Sequence, residues 1–202
     1  MKKKIIITGG LGYIGTELCK LYSGVSWHHD ITVIDNRFIS ERVNQIRNWN
    51  MEFIQGDILD KEIVNKHCKE ADVIHHLAGI TDVPRTKSET SKYRDEKIIE
   101  VGEKGTQNIL DAANNRCKII FPSTHVVYEG INEVKTDIEE NEITQPVLSY
   151  STSKAINEEQ LKKSGKNYVI LRLGSVYGYS TDSMRVDIMP NLFSKIASQD
   201  GT

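Results

Sequence analysis

The sequence predicts an α/β protein built on a doubly wound parallel sheet. Short, nearly continuous aliphatic runs such as Ile5–Ile7 and Val33-Ile34 alternate with helical patterns along the chain. Runs of this composition are typical of parallel strands that helices cover on both faces. The alternation of strand, helix and strand implies right-handed crossover connections, and several in succession give the doubly wound sheet.

Six strands follow from the aliphatic runs, and four helices from the 3.6-residue spacing between them. A fifth, short helix is a weaker prediction for the segment after Asn36. The predicted strands are Lys4–Thr8, Ile31–Asp35, Met51–Gln55, Val73–Leu77, Lys118–Pro122 and Tyr168–Leu173. The predicted helices are Tyr13–Tyr22, Asp60–Lys69, Ile98–Asn114 and Ser149–Lys163.

Two polar stretches interrupt this pattern. Residues 81–97 are rich in serine, threonine and charge, and residues 129–145 carry six acids against one lysine. The simpler interpretation of both is solvated loop. The alternative is that they lie at the carboxyl ends of strands, where open α/β sheets bind their ligands.

Composition excludes several classes of function. With a net charge of −2 over 202 residues, nothing favours binding to nucleic acid or to an anionic membrane. No apolar run approaches the roughly 20 residues of a membrane span, and the start of the chain fits a strand better than a signal peptide. Cys19, Cys68 and Cys117 are widely spaced, which predicts reduced thiols in a cytoplasmic protein and no metal site.

A glycine-rich segment, residues 8–15, links the first strand to the first helix. Gly9, Gly12 and Gly15 recur every third residue. The first permits a tight turn, the second lets the backbone approach a pyrophosphate, and the third lets helix and strand pack closely. The amides at the helix N-terminus then favour the phosphates. The segment predicts a Rossmann-like dinucleotide site.

Acidic residues after the second and third strands bear on which dinucleotide binds. Asp35 lies twenty residues beyond Gly15, where a carboxylate accepts hydrogen bonds from the adenosine ribose and repels a 2′-phosphate. We therefore expect NAD, although Arg37 could partly accommodate a phosphate. Asp57 follows the third strand and is placed to reach the adenine edge.

A tyrosine and a lysine lie four residues apart in the last long helical segment. Tyr150 and Lys154 would share one helix face, one turn apart. A tyrosine has an ordinary pKa near ~10, and a neighbouring lysine cation stabilises the phenolate and lowers that pKa. The pair predicts a Tyr/Lys proton-transfer site, with Lys154 also held by the ribose hydroxyls.

These motifs together resemble the extended short-chain dehydrogenases/reductases of the NAD-dependent epimerase/dehydratase family, over residues 2 to about 200. The segments that carry the resemblance are residues 8–15 (TGGLGYIG), Asp35-Asn36, Gly56–Ile58, His76–Gly79, Gly105–Asn108, Ser123-Thr124, Tyr150 with Lys154, and Leu171–Gly178. The resemblance implies NAD contacts at Tyr13, Ile14, Asn36, Ile58, Leu77, Ala78 and Gly79.

The same resemblance implies a domain organisation and an assembly. A Rossmann-like domain would cover residues 1–180, and residues 181–202 would begin a truncated C-terminal substrate lobe whose first helix opens at Met189. The chain would then be either a fragment that binds NAD with little turnover or a truncated protein whose substrate lobe comes from elsewhere. Relatives pair through the two long helices, so a homodimer is expected.

The resemblance also assigns a substrate side to the site. Thr124 corresponds to the family's Ser/Thr that hydrogen-bonds the reacting sugar oxygen. Dehydratases follow it with Asp-Glu, whereas this chain has His125-Val126, and Val126 cannot exchange a proton. His125 is either an acid/base group or a strand-end histidine without a chemical role.

Other positions depart from the family pattern or touch the substrate in relatives. Gly102 and Ser175 stand where the family commonly has asparagine, and Glu129 stands where it has glycine. Ser175 and Asn191 are candidate substrate contacts, although Asn191 could equally be an ordinary residue at a helix start.

The expected function is an NAD-dependent epimerase, or a related oxidoreductase, acting on a nucleotide sugar by Tyr/Lys-assisted hydride transfer. Open alternatives are a dehydratase, a decarboxylase or a small-ketone reductase of the same family, and an NAD-binding module without turnover. No nucleic acid, membrane or metal partner is expected.

Overall fold

A computed structural model describes residues 2–81, 91–180 and 183–200, and its sheet has the predicted topology. Six parallel strands lie in the order β3-β2-β1-β4-β5-β6, which confirms the doubly wound sheet. The strands are β1 (Lys4–Thr8), β2 (Asp30–Asp35), β3 (Glu52–Gln55), β4 (Val73–His76), β5 (Lys118–Thr124) and β6 (Asn167–Leu173). The direction of winding reverses between β1 and β4, where ligands bind in sheets of this type.

The helices lie between these strands, and a last one follows β6. They are α1 (Tyr13–Ser23), α2 (Ser40–Asn48), α3 (Lys61–Cys68), α4 (Lys92–Ala112), α5 (Ser149–Lys163) and α6 (Met189–Asp200). Short 3₁₀ helices occupy Ser26–His28 and His125–Tyr128. The weakly predicted helix after Asn36 is α2, and the helix expected at Met189 is α6, whereas its place in a substrate lobe stays a prediction.

Two element boundaries correct the sequence predictions. β5 continues past Pro122 to Thr124, because Thr124 still pairs with Leu173 of β6. α4 begins at Lys92, so the interpretation of residues 92–97 as loop is wrong. Its N-terminus is capped by Ser91, whose side chain accepts a hydrogen bond from Arg94 N, and the rest of that polar stretch, residues 82–90, lies outside the described residues.

Alternating strand residues build one apolar layer on each face of the sheet. Ile6 of β1 faces α3, α4 and α5 in a layer that includes Phe121 and Leu161. Ile5 and Ile7 face the opposite layer, which packs against α1 and α2. All three cysteines are buried and free. Neither layer is exposed along its central strands, as the continuous aliphatic runs predicted.

The described residues contain neither a helix that could span a membrane nor a cluster of metal-binding side chains. None of the helices in the described ranges has the length and apolar character to cross a membrane. Nor do the described side chains form any cluster of three or more histidines, cysteines or acids able to hold a metal ion.

Candidate active site

The glycine-rich segment forms a tight cradle at the carboxyl end of β1. Gly9 has a φ of +71°, and a Cβ there would lie 2.7 Å from the backbone of Ala78. A Cβ at Gly15 would lie 2.4 Å from the carbonyl oxygen of Gly9. Backbone atoms cannot move aside as side chains do, so both positions require glycine.

The first turn of α1 opens into a large cavity. Gly12 is its N-cap and provides no side-chain cap, so the amides that follow are left for an external acceptor. The cavity measures about 840 Å³ and is lined by Gly9, Gly12, Tyr13, Ile14 and Gly15. Its volume lies within the roughly 300–1,000 Å³ typical of small-molecule and cofactor sites.

Asp35 lies in this cavity and is only 5% exposed. Its Oδ2 accepts from the backbone amide of Leu11 at 3.0 Å, which fixes the glycine-rich segment to the end of β2. Arg37 contacts both carboxylate oxygens, with Nε 3.2 Å from Oδ1 and a guanidinium NH2 3.4 Å from Oδ2. A carboxylate and a cation therefore lie side by side in the cavity. The predicted preference for NAD over NADP depends on both residues.

The loop after β3 also reaches the cavity. Asp57 Oδ2 accepts from the side-chain amide of Asn36 at 3.1 Å, and its Oδ1 accepts from Leu59 N at 2.9 Å. Ile58 is buried against Gly105 of α4, where a Cβ would lie 2.3 Å from its Cδ1. Asn36, Asp57 and Ile58 all line the cavity beside Asp35.

The opposite wall consists of Leu77, Ala78 and Gly79, which follow β4 and line the cavity. Ala78 N donates to the Thr8 hydroxyl at 3.2 Å. That hydroxyl also hydrogen-bonds His76 Nδ1 at 2.9 Å, and Nε2 lies 3.1 Å from the Thr106 hydroxyl of α4. Burial lowers the pKa of His76 to about 3, so this imidazole is a neutral support for the wall.

Thr124, Tyr150 and Lys154 line the cavity together, β5 supplying the first and α5 the other two. The Lys154 Nζ donates to the carbonyl of Pro122 at 2.8 Å, and it lies 4.4 Å from the centroid of the Phe121 ring. Its distance to the centroid of the Tyr150 ring is 6.0 Å. The three side chains expected to act together therefore do share one site.

Burial dominates the ionisation of this pair. It lowers the pKa of Lys154 to about 8, against the opposing effect of Glu158. It also raises the pKa of Tyr150 above its ordinary value, although the Arg185 cation and a hydrogen bond with Thr124 lower it. The pKa of the phenol stays above its ordinary value, because burial outweighs both of these lowering contributions.

The sequence did not predict a buried ionic network that lies one helical turn beyond Lys154. Glu158 accepts from the Ser123 hydroxyl at 2.6 Å and from Arg172 Nε and NH2 at 3.0 Å and 2.6 Å. Arg172 also donates to the Tyr128 hydroxyl. The available signal was the spacing of Tyr150, Lys154 and Glu158, which lie at four-residue intervals on one helix face.

The candidate substrate residues fall into two groups. His125 and Ser175 line the cavity, and His125 Nδ1 lies 3.1 Å from the carbonyl of Leu173. Asn191 is not among the lining residues. It is 4% exposed, accepts from Gly178 N at 3.0 Å and donates to the carbonyl of Arg185 at 2.8 Å, so a substrate contact at Asn191 stays a prediction.

Gly102 lies in a helix contact. A Cβ there would stand 2.0 Å from the Ser153 hydroxyl of α5, and it does not line the cavity. The absence of a side chain at this position therefore allows α4 and α5 to approach closely.

Comparisons with known proteins agree with this geometry. The model of the NAD dependent epimerase/dehydratase family matches residues 5–201. The chain is 32% identical to a putative UDP-glucose 4-epimerase of Methanocaldococcus jannaschii, over 88% of this chain and 57% of that protein. It is 27% identical to a dTDP-D-glucose 4,6-dehydratase of Dictyostelium discoideum, over 87% of this chain and 44% of that one.

Among solved structures, the chain is similar to a UDP-glucuronic acid 4-epimerase from Bacillus cereus in complex with UDP-glucuronic acid and NAD. The TM-score is 0.76 at 27% identity, over 99% of this chain and 64% of that one. The chain thus spans about half the length of the curated relatives it matches.

Proposed function

Since the chain belongs to the NAD dependent epimerase/dehydratase family, we propose that it binds NAD and epimerises a nucleotide sugar by Tyr/Lys-assisted hydride transfer. One observation carries the proposal: Thr124, Tyr150 and Lys154 line the same cavity as the glycine cradle. The substrate class, a nucleotide sugar, is inferred from the relatives, two of which are named for UDP-sugar epimerisation.

The residues present fit a dinucleotide. Gly9 and Gly15 leave room where a Cβ would meet backbone, and the uncapped start of α1 suits a pyrophosphate. Asp35, Asn36, Asp57 and Ile58 would hold the adenosine end, and Leu77, Ala78 and Gly79 would flank the other side. NAD, when bound, takes up a hydride and returns it.

The protein's own part in the reaction is proton transfer and orientation. Tyr150 takes the proton from a sugar hydroxyl during oxidation and returns it during reduction. Lys154 stabilises the phenolate, and the Thr124 hydroxyl holds the reacting oxygen beside it. The ketone has to present its opposite face before the hydride returns to the same carbon, so the product is the epimer and no reduced cofactor accumulates.

The two residues after Thr124 argue for epimerisation over dehydration. His125 and Val126 line the cavity, and Val126 has no proton to give or take. Loss of water from a sugar needs an acid and a base next to the ring, and the dehydratase Asp-Glu pair is missing at this point of the sequence.

The test is incubation of the purified chain with UDP-glucose or UDP-glucuronic acid, followed by proton NMR. We expect the C4 epimer to form, and heat to release NAD from the protein. Accumulated NADH would indicate a dehydrogenase, and a 4-keto-6-deoxy product a dehydratase. Bound NAD without any conversion would fit either a binding module or a chain that needs a substrate lobe from elsewhere.

We further propose a cytoplasmic homodimer that pairs through α4 and α5. Ala155 and Ile156 line a shallow groove on α5, and an apolar strip of this kind suits a second copy. The three free, buried cysteines fit a reducing compartment. A monomeric mass by light scattering at micromolar concentration would contradict the dimer.

A further inference from the structure

The helix that carries Tyr150 and Lys154 begins at a residue that cannot cap it. α5 starts at Ser149, and its N-cap residue is Leu148, whose side chain cannot accept a hydrogen bond. Within the helix, the Leu148 amide donates to the Ser151 hydroxyl oxygen at 3.2 Å. A charged acceptor for this end of the helix comes from elsewhere in the chain.

Glu129 supplies that acceptor. Its Oε1 accepts from Val147 N at 2.8 Å and from Leu148 N at 2.7 Å, and the buried Ser151 hydroxyl donates to the same oxygen. A carboxylate at a helix N-terminus also interacts favourably with the helix dipole. Glu129 stands where the family resemblance predicts glycine, so this contact is a property of this sequence.

The placement of Glu129 connects two parts of the candidate site. The 3₁₀ helix His125–Tyr128 follows directly from Thr124, and Glu129 is the next residue. The chain therefore leaves β5 at Thr124, makes one short turn, and contacts the start of α5 on both sides of Tyr150, at Leu148 and Ser151. The hydroxyl of Thr124 and the phenol of Tyr150 lie on the two segments that Glu129 joins.

A second contact fixes α5 farther along. Tyr128 accepts a hydrogen bond from Arg172, whose guanidinium carbon lies 5.1 Å from the centroid of the Tyr128 ring. Arg172 binds Glu158 in turn, one helical turn beyond Lys154. This contact holds the middle of the helix, whereas Glu129 holds its N-terminal end, next to Tyr150.

We propose that Glu129 is a positioning residue that holds the first turn of α5 so that the Tyr150 phenol stays beside the Thr124 hydroxyl. The proposal rests on the proposed role of Tyr150 in proton transfer. Glu129 is not among the residues that line the cavity, so it would act only through the orientation of the helix. Its removal should change the chemical step more than the binding of NAD.

The test compares Glu129→Ala and Glu129→Gln with the control Glu133→Gln. Glu133 is an exposed acid of the same segment, with no hydrogen bond to α5 among the described residues. Each protein is labelled with ¹³C at the tyrosine ring carbon that bears the hydroxyl, and the Tyr150 signal is assigned with Tyr150→Phe. Hydrogen exchange reports the Val147 and Leu148 amides, and kcat and KM are measured for epimerisation.

In Glu129→Ala we expect a displaced or broadened Tyr150 signal, lost protection at both amides, and a kcat about 10- to 100-fold lower. KM and the Kd of NAD should stay within about twofold. Glu129→Gln keeps an acceptor oxygen and should recover much of the signal, and Glu133→Gln should match the parent protein.

An unchanged Tyr150 signal with lost protection at Val147 and Leu148 would reduce Glu129 to a helix cap and overturn the proposal. An unchanged kcat in an active protein would do the same. If the parent protein epimerises nothing, the proposed function fails, while the NMR and exchange measurements still decide whether Glu129 positions Tyr150.

Discussion

At the residue scale, burial and nearby charge have opposite effects on the pKa of Tyr150. Burial raises the pKa of this phenol, and the Arg185 cation and Thr124 hydrogen bond only partly offset that increase. Lys154, whose own pKa burial lowers to about 8, carries less charge in alkaline solution than an exposed lysine would. The proton-transfer role proposed for Tyr150 and Lys154 therefore requires further positive charge beside the phenol.

Tyr150→Phe tests the proton-transfer role. The substitution removes the hydroxyl and keeps the ring, so we expect kcat for epimerisation to fall about 10²- to 10⁴-fold. NAD binding, followed by isothermal titration calorimetry, should change by less than about threefold. A variant as active as the parent would contradict the role and favour an NAD-binding module without turnover.

The pairing of Asp35 with Arg37 predicts a preference for NAD over NADP that one substitution at Asp35 should shift towards NADP. Asp35→Ser removes the charge that repels a 2′-phosphate and leaves Arg37 to bind it. We expect NAD to bind about 10-fold more weakly and NADP about 10-fold more tightly, because hydrogen bonds to charged groups contribute roughly 1.5–3 kcal/mol.

Arg37→Ala in the Asp35→Ser background provides the control. It should abolish the gain for NADP and leave the weakened binding of NAD unchanged. Fluorescence titration with both dinucleotides measures the two constants. Equal affinity of the parent protein for NAD and NADP would show that Asp35 does not discriminate between them.

At the element scale, the sequence predicted the strands better than the helix contacts. Aliphatic runs and the glycine spacing located β1, α1 and the cradle, because backbone requirements at Gly9 and Gly15 are local. The Glu158–Arg172 pair could not be predicted in the same way. It joins α5 to β6 across a sheet edge, and no local pattern reports which charged residues a fold brings together.

Gly102→Ala tests the close contact of α4 with α5. The new methyl group would lie 2.0 Å from the Ser153 hydroxyl, which itself donates to the carbonyl of Ile98 at 3.3 Å. Overpacking of this kind costs about 1–3 kcal/mol, partly offset by the better helix propensity of alanine, about 1 kcal/mol. We expect a lower free energy of unfolding in urea.

Ser153→Ala in the same chain removes the clashing hydroxyl and supplies the matched control. The double variant should regain most of the lost stability, so the two substitutions should be strongly non-additive. Additive effects would mean that Gly102 and Ser153 do not meet in solution.

At the scale of the whole molecule, three buried thiols predict how stability depends on pH. Burial raises the pKa values of Cys19 and Cys68 to about 12 and that of Cys117 to about 11, from an ordinary value of 9.0. In the unfolded chain these thiols lose their protons first. The unfolded state then binds fewer protons than the folded state, so stability falls as pH rises above about 9.

Urea unfolding between pH 8 and 10 measures this loss. Each thiol contributes at most about 1.4 kcal/mol per pH unit, and the lowered pKa of Lys154 opposes the trend through one proton. The triple variant Cys19→Ala, Cys68→Ala and Cys117→Ala, measured relative to its own stability at pH 8, should show a flatter profile. A parent protein that gains stability from pH 9 to 10 would refute the assignment.

The network around Glu158 has a consequence for recombining folds of this kind. Tyr150 and Lys154 lie on a single helix, which suggests that this helix could be transferred to another protein of the same fold. Glu158 of that helix has its counter-ion, Arg172, on β6, and it accepts a further hydrogen bond from Ser123 on β5. A graft of α5 alone would leave Glu158 with only the more distant Lys162 of the same helix, at 3.9 Å, so the smallest transferable unit is the helix together with both strands.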